Sequence, residues 1–491
     1  MVKLLRNGVE TYDFNLKKGD LLEARVEKLV FGGQGIVRIV EENAKRGLVI
    51  FVEGVAPGDL VKLEVISLRH NLARGKVISF LQKAPERIEA RCKHFGLSEV
   101  DGIVKEDNTK NCGGCSWQFL SYTDQLKVKW QEVHDSLARI GGLEKDLLAK
   151  LMKPVMGMEE PWYYRNKMEF SFTRAEAGLG KWQVGLHLKG RFYEVCEIEE
   201  CHLFTPWIGK FLGKVRSWLD LQNFEEGTNL QSLYVRRASN TREVLINLVF
   251  ENGKDNFSDS WLNLLEDFFE KERDGLDDDV LVSAFITQVI NIKGQRKETR
   301  EKILKGKAYF VEELRLNDGQ VLKFQVSPQA FLQPNTLQAE KIYSVIGEMI
   351  FGRNNLANNI VIYDLFCGTG TIGVSLANRV KKIIGVELNA SALQMAKQNA
   401  ELNGAQNCEW RCADVAKVLK EILNAGSVVV VDPPRAGLGA SVVANLVDSK
   451  LEKLIYVSCN PATLARDTRG LLSGGYKLKR IEVIDQFCHT Y

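Results

Sequence analysis

The stretch Ile360-Val361-Ile362-Tyr363-Asp364-Leu365-Phe366-Cys367-Gly368-Thr369-Gly370-Thr371 decides the fold of the C-terminal part of the chain. An apolar run breaks at an aspartate into a glycine turn. That is the pattern of a buried strand passing directly into a helix, with a backbone that a ligand can approach closely. Further short apolar runs follow at 382–387, 408–414, 428–432 and 454–459, separated by amphipathic stretches such as 391–402. Strands alternating with helices predict a parallel sheet covered on both faces, an α/β Rossmann-like domain over 317–491. Ligands of such sheets bind beyond the carboxyl ends of the strands.

Polar residues close the successive runs. Glu387 ends the second, where a carboxylate suits the two ribose hydroxyls of a nucleoside. Asp414 ends the third, placed to accept from an adenine amino group. Gln333, in Phe331-Leu332-Gln333 just before the sheet, can lie over the same ligand. Together these favour S-adenosylmethionine over NAD or a phosphate ligand. The fourth run ends in Asp432-Pro433-Pro434-Arg435-Ala436-Gly437 and the fifth in Tyr456-Val457-Ser458-Cys459-Asn460-Pro461. Carbon 5 of uracil is a poor nucleophile. A thiolate that adds to carbon 6 turns the ring into an enolate, and carbon 5 can then attack a sulfonium methyl. A base must afterwards remove the carbon 5 proton so that the thiolate leaves. Cys459, at a strand's carboxyl end, is the candidate nucleophile; the bland alternative is a buried structural thiol. Cys367, Cys408 and Cys412 read as packing residues.

Upstream the pattern changes. Residues 1–85 carry short alternating runs broken by turn signals, Gly32-Gly33-Gln34-Gly35 and Pro57-Gly58 among them. They predict a small OB-type barrel, with Lys45, Arg46, Arg69, His70, Arg74 and Lys76 as a nucleic-acid-facing set or a solvated surface. Residues 86–316 are mixed, with a helix expected over 122–140 and strands at 167–172, 233–237 and 243–250. The group Trp162-Tyr163-Tyr164-Arg165-Asn166-Lys167 suits base stacking and phosphate contact, or ordinary edge packing. Cys92, Cys112, Cys115 and a more distant Cys201 form a metal-type cluster in which Cys196 rivals Cys201. Spacing leaves zinc, iron–sulfur and no metal all open.

The 491 residues carry a net charge of only +3, which names no partner by itself. No run approaches the roughly 18 apolar residues of a membrane span, and residues 1–20 do not read as a secretory signal or transit peptide. Ten cysteines are then expected as thiols or ligands in a reducing compartment, the cytoplasm, or a plastid or mitochondrion if a leader is missing.

The paired signature Asp432-Pro433-Pro434-Arg435-Ala436-Gly437 and Ile455-Tyr456-Val457-Ser458-Cys459-Asn460-Pro461-Ala462-Thr463 resembles that of the RNA 5-methyluridine methyltransferases. The likeness runs over nearly the whole chain, and the N-terminal segment resembles the TRAM module. It implies cofactor contacts at Gln333, Phe366, Thr371, Glu387, Asp414 and Asp432, with Cys459 as nucleophile. Thr371 replaces an asparagine found in some relatives. It implies a 4Fe–4S cluster on Cys92, Cys112, Cys115 and Cys201, across an inserted stretch 95–109 that loops out. It implies an RNA substrate, ribosomal RNA ahead of transfer RNA, read by a monomer. The pattern argues against DNA cytosine methyltransferases, whose cysteine follows the fourth strand in a Pro-Cys motif, because here that motif has none. In the family a His-Thr start like His489-Thr490 runs on into a glutamate that serves as the base for carbon 5, and into a last strand between the 454–459 strand and one at 481–487. Both are expected to be missing, as in a truncated gene model or splice form. The expected results are slow release of a covalent adduct and an unpaired sheet edge, with His489 as a candidate substitute base. The rival readings are a non-catalytic RNA-binding or RNA-folding protein and an enzyme that methylates protein or small molecules.

Overall fold

The computed structural model describes all residues except 1–2, 7–8, 12–15, 31, 40–47, 71, 106, 108, 175–180, 223–228, 252–258, 291–297, 353–356 and 424–425. Lys45 and Arg46, expected on the barrel surface, lie outside the described residues.

The N-terminal sheet is held by alternation. Leu22 and Ala24 point inward from Leu21–Arg25, and Val61, Leu63 and Val65 from the partner Leu60–Arg69. This is the period-2 burial of a sheet with one dry face. One run of chain serves two distant parts of the sheet. Leu21–Arg25 pairs with Leu60–Arg69, while the next residues, Lys28–Leu29, pair with Gly35–Ile39. The sheet therefore curls around Val37, Ile50, Val52 and Val77. The carboxylate of Asp59, fully buried, accepts from the amides of Ala56 and Ala84 and from Arg87, which pins the turn that closes it. The inserted stretch is a small hairpin, Ser98–Val100 with Ile103–Lys105, added to this sheet by Ile103 pairing with Ser79.

A seven-stranded sheet follows, in the order Arg191–Glu197, Trp182–Leu188, Lys167–Arg174, Asn229–Arg237, Glu243–Glu251, Val280–Ile290, Glu298–Gly306. All its pairs are antiparallel except Glu243–Glu251 with Val280–Ile290. Helix Ile208–Asp220 covers it with Phe211, Leu212, Val215 and Leu219. Helix Tyr122–Arg139 starts where the Ser121 hydroxyl accepts from the Asp124 amide, a side-chain cap. Residue 316 lies in the turn of a hairpin, Phe310–Arg315 with Val321–Val326, whose Phe310, Leu314, Leu322 and Phe324 belong to the core under the last sheet.

That last sheet has five parallel strands in the order Cys408–Cys412, Val380–Glu387, Ala357–Leu365, Val428–Val431, Lys453–Tyr456. Val428–Val431 is wholly buried, as a strand covered on both faces must be. The chain reverses its direction of travel across the sheet between Ala357–Leu365 and Val428–Val431, the switch point where sheets of this kind open a crevice for ligands. Residues 481–487, expected as a strand, are not one. Ile481 and Ile484 make isolated parallel bridges to Met152 and Met156, because Ile481 and Val483 pack instead among Leu137, Leu148 and Leu472. No helix among the described residues is long and apolar enough to cross a membrane.

Candidate active site

The glycine turn is built on an unusual backbone. Phe366 has φ +63°, and Gly368 and Gly370 have φ +52° and +79°. For Phe366 this is a strained left-handed residue of the kind that persists when its surroundings enforce it. The Cys367 amide donates to the Val386 carbonyl (3.1 Å) and the Gly368 amide to Glu387 Oε2 (3.1 Å), so the turn is tied to the neighbouring strand end. A Cβ on Gly368 would meet nothing within 4 Å, which leaves open space over the turn. Gly370 is different, since its Cβ would lie 2.7 Å from Trp410, and that of Gly385 2.3 Å. The Trp410 indole, from the edge strand, thus fills the space under the turn that three glycines vacate, Gly373 being the third at 3.5 Å. Sequence reasoning missed Trp410. Gly368, Gly370 and Gly373 do stand in the G-x-G-x-x-G spacing of dinucleotide sites, so glycine spacing alone does not choose the ligand.

Carboxylates surround the open space. Glu387 Oε1 accepts from the Asn389 amide (2.8 Å), which fixes its direction. Asp364, fully buried, accepts from the Gly373 amide (2.8 Å) through Oδ2, while Oδ1 has no partner. Burial raises its carboxyl to about 7, helped by the negative charges of Asp432 and Glu387. Burial likewise raises Asp432 to about 6. Gln333 reaches Asp432 across the crevice (Nε2 to Oδ2, 3.5 Å). Its own loop is held by Asn166, whose side chain donates to the Gln333 carbonyl (2.7 Å) and whose amide donates to that of Pro334. Thr371 Oγ1 accepts from the Tyr343 hydroxyl (3.1 Å). Asp414 caps helix Val415–Ile422 by accepting from the Ala416 amide (2.9 Å). The carboxyl-end residues the sequence singled out thus line one edge of one sheet.

Cys459 is exposed, three residues beyond the end of Lys453–Tyr456 and next to the strand that leads into Asp432. The sulfur is held on a short loop. Ser458 Oγ accepts from the Asn460 amide (3.1 Å), and the Asn460 side chain caps helix Pro461–Ser473 by accepting from Ala462 (3.0 Å). The other thiols of this half differ. Cys367 is buried, with its thiol pushed well up by burial, and Cys408 is pushed up to about 12. Cys412, expected to pack, is exposed: it ends the edge strand, beyond the cover of the helices.

The aromatic and basic group around residue 165 is largely spent on the protein itself. Tyr164 is buried and donates to the Cys488 carbonyl (2.9 Å), Trp162 stacks on the His489 ring (3.6 Å between centroids), and the Tyr163 hydroxyl meets His202. Packing claims these three rings. His489 is buried between Trp162, Tyr122 and Gln125, and burial lowers its pKa to about 4. Its carbonyl accepts from the amides of Ser116 and Trp117, so the ring is held by the cysteine loop and helix Tyr122–Arg139.

Cys92, Cys112, Cys115 and Cys201 line one pocket, walled by Leu186, Ile198 and Leu203. Cys196, the rival, is not part of that lining but adjoins it, hydrogen-bonded to the Cys112 thiol; it is buried and also turned to Thr109 and His94. Among the described residues no three metal-binding side chains gather closely enough to hold a single ion. A mononuclear zinc would need its sulfurs at about 2.3 Å from one point.

Residues 260–491 match the model of the family described as tRNA (uracil-5-)-methyltransferase. An uncharacterized RNA methyltransferase of Caldanaerobacter subterraneus is 33% identical over 97% of this chain and 98% of its own length. One of Protochlamydia amoebophila is 33% identical over 88% and 96%. Among solved structures, the tRNA (uracil-54, C5)-methyltransferase of Pyrococcus abyssi, in complex with S-adenosyl-L-homocysteine, superposes with a TM-score of 0.65 at 23% identity, over 95% of this chain and 97% of that one.

Proposed function

We propose, because the chain belongs to the RNA 5-methyluridine methyltransferase family, that this S-adenosylmethionine-dependent enzyme methylates carbon 5 of a uridine through a covalent bond from Cys459. The observation that carries this is the placing of an exposed thiol, Cys459, on the loop after the strand that neighbours the one leading into Asp432, on the same sheet edge as the open glycine turn and Glu387. The cofactor supplies an electrophilic methyl on its sulfonium. Glu387 offers its carboxylate to the ribose hydroxyls and the glycine turn gives room for the backbone to approach. Gln333, Phe366, Thr371, Asp414 and Asp432 complete the contacts. The Cys459 sulfur forms its bond to carbon 6 of the ring; carbon 5 gains electron density, takes the methyl, and loses its proton to a base as the carbon–sulfur bond breaks.

The curled N-terminal sheet is read as a TRAM-like RNA-binding barrel and the central sheet as a second RNA-binding part. The four cysteines are read as the seat of a 4Fe–4S cluster with a structural role, since no step of the reaction moves an electron. Ribosomal RNA is the proposed substrate, on the pairing of that cysteine set with the barrel. RNA carrying 5-fluorouridine, whose carbon 5 cannot lose a proton, is expected to trap a conjugate that survives denaturation and maps to Cys459. Separate reactions with ribosomal and transfer RNA fragments choose the substrate. No conjugate with either RNA would refute the covalent route.

The raised carboxyl of Asp432 sets a pH dependence. A cationic ligand favours the ionised carboxylate, and burial delays ionisation until about pH 6. Affinity for S-adenosylmethionine is therefore expected to be level above pH 7 and to fall below pH 6, by at most about tenfold per pH unit for one linked proton. S-adenosylhomocysteine, which lacks the sulfonium charge, is expected to lose less. Calorimetric titration of both from pH 5 to 8 checks this. Parallel curves for the two ligands would remove Asp432 from the charge-sensing role.

A further inference from the structure

Asp467 lies in helix Pro461–Ser473, outside both signature runs, and is only 3% exposed. A buried carboxylate must be met by donors, and here the donors come from three different segments. The Leu438 amide donates to Oδ2 (2.8 Å), the Tyr456 hydroxyl to Oδ2 (2.9 Å) and Arg466 Nε to Oδ1 (2.9 Å). Leu438 follows the loop that begins at Asp432. Tyr456 is the last residue of the strand that leads to Cys459. Arg466 is on the helix that follows Cys459.

Lesser bonds run the same way. The Arg435 carbonyl accepts from Thr463 Oγ1 (3.2 Å) and Asn460 Nδ2 (3.3 Å), and the Ala436 carbonyl accepts from Arg466 (2.8 Å). Gly437, at φ +79°, closes over the carboxylate; a Cβ there would stand 2.5 Å from Asp467 Oδ2. The two loops that carry Asp432 and Cys459 therefore share one buried anchor.

We propose that Asp467 is a positioning residue which locks the Cys459 loop to the Asp432–Gly437 loop, fixing the sulfur relative to the cofactor crevice. This rests on the reading of Cys459 as nucleophile. An exposed thiol on a short loop has freedom to lose, and attack requires it within about 3–3.5 Å of carbon 6. Asp467 is buried with its hydrogen-bond partners on the protein itself, so its effect is expected on attack and not on binding.

Asp467→Asn keeps the size but turns one acceptor oxygen into a donor that faces another donor. The rate of conjugate formation with 5-fluorouridine RNA is expected to fall roughly 30- to 100-fold, while the Kd for S-adenosylhomocysteine stays within about twofold, as for a misplaced reacting group. Tyr456→Phe removes one donor without leaving a buried charge unmet, and is expected to slow conjugate formation roughly fivefold, the worth of one hydrogen bond. If the Asn variant reacts within about threefold of the wild type, or loses rate and S-adenosylhomocysteine affinity in parallel, the positioning role is overturned. If the Asn variant does not fold, Tyr456→Phe decides: an unchanged rate overturns the role, and a slowed rate with intact affinity supports it. Wild-type protein that forms no conjugate at all overturns the nucleophile reading itself.

Discussion

Cys459→Ala is expected to lower methyl transfer by about 10⁴-fold or more, the scale on which removing a catalytic nucleophile acts, and to abolish the covalent conjugate. No neighbour can substitute for it. Cys367 is buried with its thiol held protonated, and Cys488 is buried, pushed up to about 12 and engaged with Tyr122. Cys412 is exposed but stands on the opposite edge strand of the sheet from Lys453–Tyr456. The Ala side chain on an exposed loop should leave the fold and the affinity for S-adenosylhomocysteine as they are, because substitutions at such sites stay within about 0.5 kcal/mol. Single-turnover methylation followed with labelled methyl donor checks the rate, and denaturing electrophoresis checks the conjugate. Residual transfer above a few hundredths of the wild-type rate would point to direct methylation without a covalent step.

Cys201→Ser is expected to be the most damaging change to stability. Cys201 joins Cys92, Cys112 and Cys115 at the pocket from a distant part of the sequence, and the Leu203 carbonyl two residues on accepts from the Arg165 amide (2.9 Å). With the ligand set broken, the protein should be recovered with little iron and without the broad visible absorbance of a cluster. Loss of a structural metal centre belongs to the class of changes that cost about 4 kcal/mol or more. For a domain of this size, at roughly 2–4 °C per kcal/mol, that is a fall in Tm of about 8–16 °C. Cys196→Ser, a thiol outside the pocket lining, should keep its iron. Equal iron in wild type and the Cys201 variant would reject the ligand set, and zinc in place of iron would change the metal while leaving the set intact.

The parallel sheet was legible because its signals are local. Four successive valines at 428–431 can only be buried, and the glycine turn after Asp364 can only be a turn. The carboxyl-end residues follow from the strands, so Glu387, Asp432 and Cys459 were found together. What escaped depends on residues far apart in sequence. Trp410 reads as one more aromatic on a short strand, and only the fold places it beneath Gly370 and Gly385. Asp467 reads as a helix-surface charge, and its three donors are invisible until the loops close on it. The run at 481–487 has the composition of a strand, yet it docks on Met152 and Met156 because the apolar faces of three helices offer it a better surface. Trp162 and Tyr164 carried a signal shared by base-stacking platforms and by ordinary cores, and composition has no means of separating the two.

The cysteine pocket also bears on how the protein is made. Three of its sulfurs emerge from the ribosome close together, but the fourth belongs to residue 201, more than a hundred positions after the first. Between them the chain must lay down the hairpin that joins the first sheet, a long helix and three strands of the second. The binding seat therefore does not exist during early translation. A group bound there would have to be delivered to a nascent chain already well over a third synthesised, or to the finished polypeptide.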